Sequence, residues 1–140
     1  MDREALALLL ERDEGVRLRP YFDTSTPPRL TIGIGRNLTD RGISRDEAQV
    51  LLQNDIDECL ADLEPLPWFQ ALSDIRQRVI CAMRFNVGMK GLLTFEKMIW
   101  HLERGRYTSA AREMIESRWA KQVKSRADRL AVMMITDENV

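Results

Sequence analysis

Six consecutive turn-forming residues, Asp23-Thr24-Ser25-Thr26-Pro27-Pro28, interrupt a chain that is otherwise patterned for helix. Such a run cannot continue a helix or a central strand, because Pro lacks the N–H and Asp, Ser and Thr bond their own backbone in turns. On its N-terminal side Val16, Leu18 and Pro20 alternate with Arg17 and Arg19, the period of a strand with one wet face. Pro20 requires that strand to start or end there, or to lie at a sheet edge. On the other side Leu30-Thr31-Ile32-Gly33-Ile34-Gly35 reads as a second strand. Its glycines suggest close approach by backbone or ligand. The loop therefore forces a small β-hairpin or three-stranded sheet between helices.

The flanking segments carry helical periodicity. A first helix is predicted from Arg3 to Asp13, with Ala5, Leu6, Leu9 and Leu10 on one face and Gly15 as its stop. Ser44 and Glu47 form a capping box that opens a helix of about five turns. Its apolar positions are Ala48, Leu51, Leu52, Ile56, Cys59, Leu60 and Leu63, and Pro65 and Pro67 end it. Further helices are predicted from Asp74 to Phe85 with Ser73 as cap, from Thr94 to Arg104, from Thr108, and from Arg126 to Ile135. Gly88 and Gly91 break the chain between the first two of these. The layout of helix, small sheet, long helix and helical bundle is α+β with two unequal lobes. With 140 residues the chain is long enough for one domain with an adequate core.

Composition excludes several classes. No run reaches the roughly 20 apolar residues of a membrane span. The first fifteen residues have charges on both sides of a short apolar run, and read as an amphipathic helix rather than a signal peptide. Synthesis in the cytoplasm is expected on that basis. Cys59 and Cys81 fall in apolar helical patterns and are expected to be buried thiols. His101 alone cannot anchor a His-based metal site or triad, and reads as a helix-surface residue. The net charge of −1 conceals −5 over residues 1–63 and +4 over residues 64–140. The basic half suits an anionic polymer as well as it suits ordinary solvated helix faces. Trp119 reads as core, Trp68 and Trp100 as packing residues, and the seven methionines as core filler.

Two carboxylates bracket the first strand. Glu14 lies at the end of the first helix, and Asp23 heads the Thr/Pro loop. Glycoside hydrolysis needs one acid to protonate the leaving oxygen and a second carboxylate to activate water or attack the sugar. The negative end of a helix disfavours the Glu14 anion, whereas Asp23 has Thr24 and Ser25 as donors and should stay ionised.

Asp13-Glu14-Gly15-Val16-Arg17-Leu18, Tyr21-Phe22-Asp23-Thr24 and Leu30-Thr31-Ile32-Gly33-Ile34-Gly35 together closely resemble the phage-type lysozymes. The resemblance continues at Ile43–Ala48, Phe85-Asn86-Val87-Gly88, Ser117-Arg118-Trp119 and Arg126-Ala127-Asp128-Arg129. It implies a single two-lobed lysozyme domain over residues 1–140. Residues 14–43 would form the small sheet lobe, 44–64 the interlobe helix and 65–140 the helical lobe, on which the first helix packs. It implies cleavage of the β-1,4 bond between N-acetylmuramic acid and N-acetylglucosamine in peptidoglycan, with inversion. Glu14 would be the general acid, Asp23 the second carboxylate and Thr31 the residue that positions water. Arg126 would pair with Glu14, Gly33 and Gly35 would support the site, and Asn37, Phe85 and Asn86 would contact substrate. No cofactor, metal, nucleic acid or membrane span is implied. A monomer acting on the cell wall is expected, with release assisted by a holin. The rival readings are a lytic transglycosylase or chitinase-like activity on the same scaffold, and a non-catalytic wall-binding or phage structural module.

Two departures from the family pattern bear on the site. Seven residues separate Asp23 from Thr31 where five are usual, and Arg36 follows Gly35 where a His is frequent.

Overall fold

A computed structural model describes all residues from Met1 to Val140. It resolves into two compact units, Met1–Val50 and Leu51–Val140.

The first unit begins with helix α1, Arg3–Glu14, whose N-cap Asp2 accepts from the Ala5 N–H at 3.1 Å. Gly15, at φ 73°, stops it as expected, because only glycine adopts positive φ without strain. None of its residues is buried. Strand β1, Arg17–Phe22, pairs antiparallel with β2, Leu30–Gly33, which pairs antiparallel with β3, Arg36–Asn37. The order β1-β2-β3 makes β1 an edge, which is how Pro20 is tolerated within it. The register shifts between Arg17 and Tyr21, around that proline. The second strand ends earlier than predicted, at Gly33, because Ile34 and Gly35 turn the chain into β3.

A one-turn helix α2, Leu38–Arg41, follows and was not expected from the sequence. Helix α3, Arg45–Leu63, starts with the predicted reciprocal cap: Glu47 N–H donates to Ser44 Oγ at 3.1 Å, and Ser44 N–H to Glu47 Oε1 at 3.0 Å. The division between the units falls inside this helix, at Val50. Of its predicted apolar stripe only Cys59 and Leu63 are buried.

The second unit is wholly helical. It contains α4 (Pro67–Gln70), α5 (Asp74–Leu93), α6 (Glu96–Leu102), α7 (Tyr107–Glu116), α8 (Arg118–Val123) and α9 (Ser125–Thr136). Its core is built from Leu63, Phe69, Val79, Ile80, Met83, Leu92, Met98, Ala110, Ala111, Met114, Ala127 and Met134, with Trp119 at its margin. Four of the seven methionines are therefore core residues, Met89 and Met133 pack partly buried against the core, and Met1 is exposed, against the expectation that all seven fill the core.

Several local expectations give way to stronger local interactions. Gly88 breaks α5 as predicted, at φ 76°, but the helix resumes and carries Gly91. That glycine is needed for closeness: a methyl group there would lie 2.9 Å from Val87 Cβ. Thr94 does not open α6; its hydroxyl donates to Gly91 O at 2.6 Å and closes α5. Ser117 opens α8, a helix not foreseen, by accepting from Ala120 N–H at 3.2 Å. Trp100 is not a packing residue; it is 44% exposed and carries the Arg104 guanidinium 3.8 Å from its ring centre. His101 is half-buried rather than on the surface, and its Nδ1 has no hydrogen-bond partner. Cys59 and Cys81 are free thiols; burial pushes Cys81 up to about 12.

Arg76 closes the C-terminal end of α9. Its Nε donates to Met134 O at 2.9 Å, it pairs with Asp137 at 3.4 Å, and it lies over the Tyr107 ring at 3.7 Å. Cations are favoured there because the last carbonyls of a helix lack intrahelical donors. No helix of the protein is long and apolar enough to cross a membrane.

Candidate active site

Glu14 is the last residue of α1, held there by the Gly15 N–H donating to Glu11 O at 2.8 Å. Its side chain lies on the backbone of Gly35. A methyl group on Gly35 would sit 2.8 Å from Glu14 Oε2 and 3.0 Å from Cδ. Gly35 also has φ +65°, so its conformation demands glycine, and a methyl group there would push the exposed Glu14 carboxyl aside. Close approach is thus made at Gly35 alone, and by the Glu14 side chain rather than by the backbone or ligand expected. Gly33, at φ +69°, has nothing within 4 Å of that position and serves the backbone conformation alone.

Asp23 follows β1 and accepts three hydrogen bonds. The Arg29 N–H reaches Oδ1 at 2.9 Å, the Ser25 N–H reaches Oδ1 at 3.0 Å, and the Ser25 hydroxyl reaches Oδ2 at 2.9 Å. These bonds, led by that from Arg29, hold the carboxyl below its ordinary value of 3.8. The expectation that Asp23 stays ionised has this physical basis. Its own N–H donates to Arg29 O at 3.0 Å and closes the loop that contains the cis Thr26–Pro27 bond.

Thr31 lies on the central strand, opposite Tyr21 on one side and Asn37 on the other. It is the chain's one buried polar residue, 4% exposed. Its hydroxyl donates to Arg29 O at 3.1 Å. A hydroxyl that has given away its proton still offers lone pairs, so Thr31 is set to accept a hydrogen from another group.

Asn37 caps α2: its Oδ1 accepts from Asp40 N–H at 3.0 Å and its Nδ2 donates to Asp40 at 2.8 Å. One amide hydrogen remains. Arg36, which replaces the frequent His, donates from its Nη1 to both Glu47 carboxylate oxygens at 2.8 and 2.6 Å and holds that carboxyl down at about 2. The pair fastens β3 to the start of α3 across the short connection.

In the second unit Phe85 is 52% exposed on α5, beside exposed Asn86. Asn86 Oδ1 accepts from Trp119 Nε1 at 2.9 Å, which aims its Nδ2 donors outward. Both line an apolar recess of about 340 Å³ with Leu52, Ile56, Cys59, Cys81, Ala82 and Arg126. Arg126 is exposed near the start of α9 and makes no ion pair within its unit.

The structure thus brings Glu14 to Gly35, and Asp23 and Thr31 to Arg29, all in the first unit. Ser25 was named from the sequence as a donor to Asp23, whereas Arg29 was not singled out. The signal for Ser25 was present: an Asp followed two residues later by Ser is a turn in which the side chain takes the backbone N–H. The signal for Arg29 was not, because it acts through its peptide groups.

The fold and site define an α+β protein in which one unit holds a small antiparallel sheet, two carboxylates and a buried threonine, and the other is helical. The profile of the phage lysozyme family matches residues 11–132, and the chain belongs to that family. It is 28% identical over 159 residues to the pre-baseplate central spike protein Gp5 of Enterobacteria phage T4, a match covering 94% of this chain and 28% of that protein. It is 27% identical over 158 residues to probable T4-type lysozyme 1 of Dictyostelium discoideum, covering 91% and 92%. The chain therefore spans less than a third of the first relative and almost all of the second.

Proposed function

We propose that the protein hydrolyses peptidoglycan at the β-1,4 bond between N-acetylmuramic acid and N-acetylglucosamine. The observation that carries this reading is the Asp23 carboxylate, kept anionic by three donors in the same unit as Glu14 and buried Thr31. Glu14 protonates the leaving oxygen. Asp23 supports the positive charge that develops on the sugar, Thr31 accepts a hydrogen bond from the attacking water, and the proton that water sheds on bonding to the sugar carbon passes to solvent. The anomeric carbon is inverted, since water rather than an enzyme carboxylate makes the new bond. Asn37, Phe85 and Asn86 contact the glycan; Asn86 is supported by Trp119 and offers its amide donors.

The cell wall is the site of action.

Clearing of outer-membrane-stripped Gram-negative cells tests the reading. Wild type should clear them, and Glu14→Gln and Asp23→Asn should lose most activity while staying folded. A wild-type protein that binds such walls but clears none would overturn it in favour of a non-catalytic wall-binding module.

A further inference from the structure

Arg29 joins the two residues that the lengthened loop separates. Its N–H donates to Asp23 Oδ1 at 2.9 Å, and its carbonyl accepts both the Asp23 N–H at 3.0 Å and the Thr31 hydroxyl at 3.1 Å. Its side chain, paired with Asp40 at 3.0 Å, ties the same residue to α2. Seven residues lie between Asp23 and Thr31, yet one residue's backbone groups contact both side chains.

We infer that Arg29 is a positioning residue for the hydrolytic reaction, and that its main chain sets which of the two side chains accepts hydrogen from water and which stays an anion. The inference rests on the function proposed above. The carbonyl takes the Thr31 proton, so Thr31 can only accept from the nucleophilic water. That leaves a water lone pair free to face the sugar carbon. The N–H occupies Asp23 Oδ1, which leaves this carboxylate a poor proton acceptor and a good electrostatic partner for the cationic transition state. Asp23 therefore acts by charge rather than by taking a proton, and the Thr31 hydroxyl aims the water. As the water oxygen bonds to the anomeric carbon and the glycosidic bond breaks, Glu14 gives its proton to the leaving oxygen, the proton shed by the water passes to bulk solvent, and Glu14 is reprotonated from solvent. Only one of Arg29's contributions is a side chain: the guanidinium, itself balanced by Asp40, is the charged group that faces Asp23.

The test replaces the Arg29 N–H by an ester oxygen in the full-length chain, by semisynthesis with the hydroxy-acid analogue of arginine. This deletes one donor and keeps every side chain. Turnover of peptidoglycan should fall about tenfold to a hundredfold with KM changed less than about threefold, as misplacement of catalytic groups gives. The ¹³C titration of the Asp23 carboxyl should move to higher pH, because the lost donor favoured the anion. In the all-amide protein the Arg29 amide-proton resonance should follow the Asp23 titration. An ester protein with unchanged turnover and an unchanged Asp23 titration overturns the inference while leaving the proposed function standing. An all-amide protein inert on peptidoglycan overturns both. If the ester chain does not fold, the amide-proton titration decides: a resonance that tracks Asp23 sustains the inference, and one that ignores it refutes it.

Discussion

Replacing Gly35 by Ala perturbs the site through a single methyl group. That carbon would stand 2.8 Å from Glu14 Oε2, 3.0 Å from Cδ and 3.2 Å from Cγ. Comfortable separation is roughly 3.5–4.0 Å, so the carboxyl must retreat by about 0.5–1 Å. A displacement of about 1 Å from the productive geometry costs on the order of a hundredfold in rate. The backbone contributes separately, since φ +65° costs an L-residue roughly 1–2 kcal/mol. For a chain of 140 residues that corresponds to a fall in Tm of roughly 3–8 °C. Gly42→Ala separates the two effects. Gly42 has φ +59° but nothing within 4 Å, so it should lose comparable stability without the loss of rate. The assay is kcat/KM on soluble peptidoglycan fragments, with Tm measured alongside. Gly35→Ala should lose about ten- to a hundredfold in kcat/KM, and Gly42→Ala less than about threefold. Equal activity in the two folded variants would refute the claim that Gly35 sets the position of Glu14.

The remaining predictions follow from individual contacts. Arg76→Ala removes the donor to Met134 O and the partner of Asp137, and should cost about 2–4 kcal/mol in urea unfolding. The Glu47 carboxyl is lowered from 4.5 to about 2 chiefly by Arg36, so its stabilising contribution is fully present above pH about 4.5 and disappears as pH falls through about 2. Arg36→Met should flatten that part of the stability-versus-pH curve. Trp119→Phe keeps the ring in the core but deletes the donor to Asn86 Oδ1, and should raise KM a few-fold with kcat nearly constant. Cys81, raised to about 12, should react with a thiol reagent at pH 8 far more slowly in the native protein than in urea.

Elements fixed by short-range chemistry were legible in the sequence. Gly15 ends α1, Ser44 and Glu47 open α3, Ser73 opens α5, and the loop from Asp23 to Pro28 stands where the turn residues place it. Elements decided by competition between neighbouring caps were not. Thr94 was available to open α6 or close α5, and its hydroxyl found Gly91 O. Ser117 opened the six-residue α8 between α7 and α9, where no helix was predicted. Trp100 carries no polarity pattern that foretells its exposure or the Arg104 guanidinium that lies across it. At the site, the resemblance to the phage-type lysozymes pointed to Glu14, Asp23 and Thr31, and turn chemistry pointed to an ionised Asp23. The Arg29 contribution was illegible because any residue other than proline supplies the same N–H and carbonyl. Asn37 shows the converse: its amide, expected to meet substrate, already caps α2.

Mass spectrometry of purified peptidoglycan digested by the wild-type protein and by Glu14→Gln tests the central claim most directly. Wild type should release fragments that end in reducing N-acetylmuramic acid, and Glu14→Gln should release almost none. Fragments ending in anhydro-muramic acid or in reducing N-acetylglucosamine, or equal release by both proteins, would contradict it.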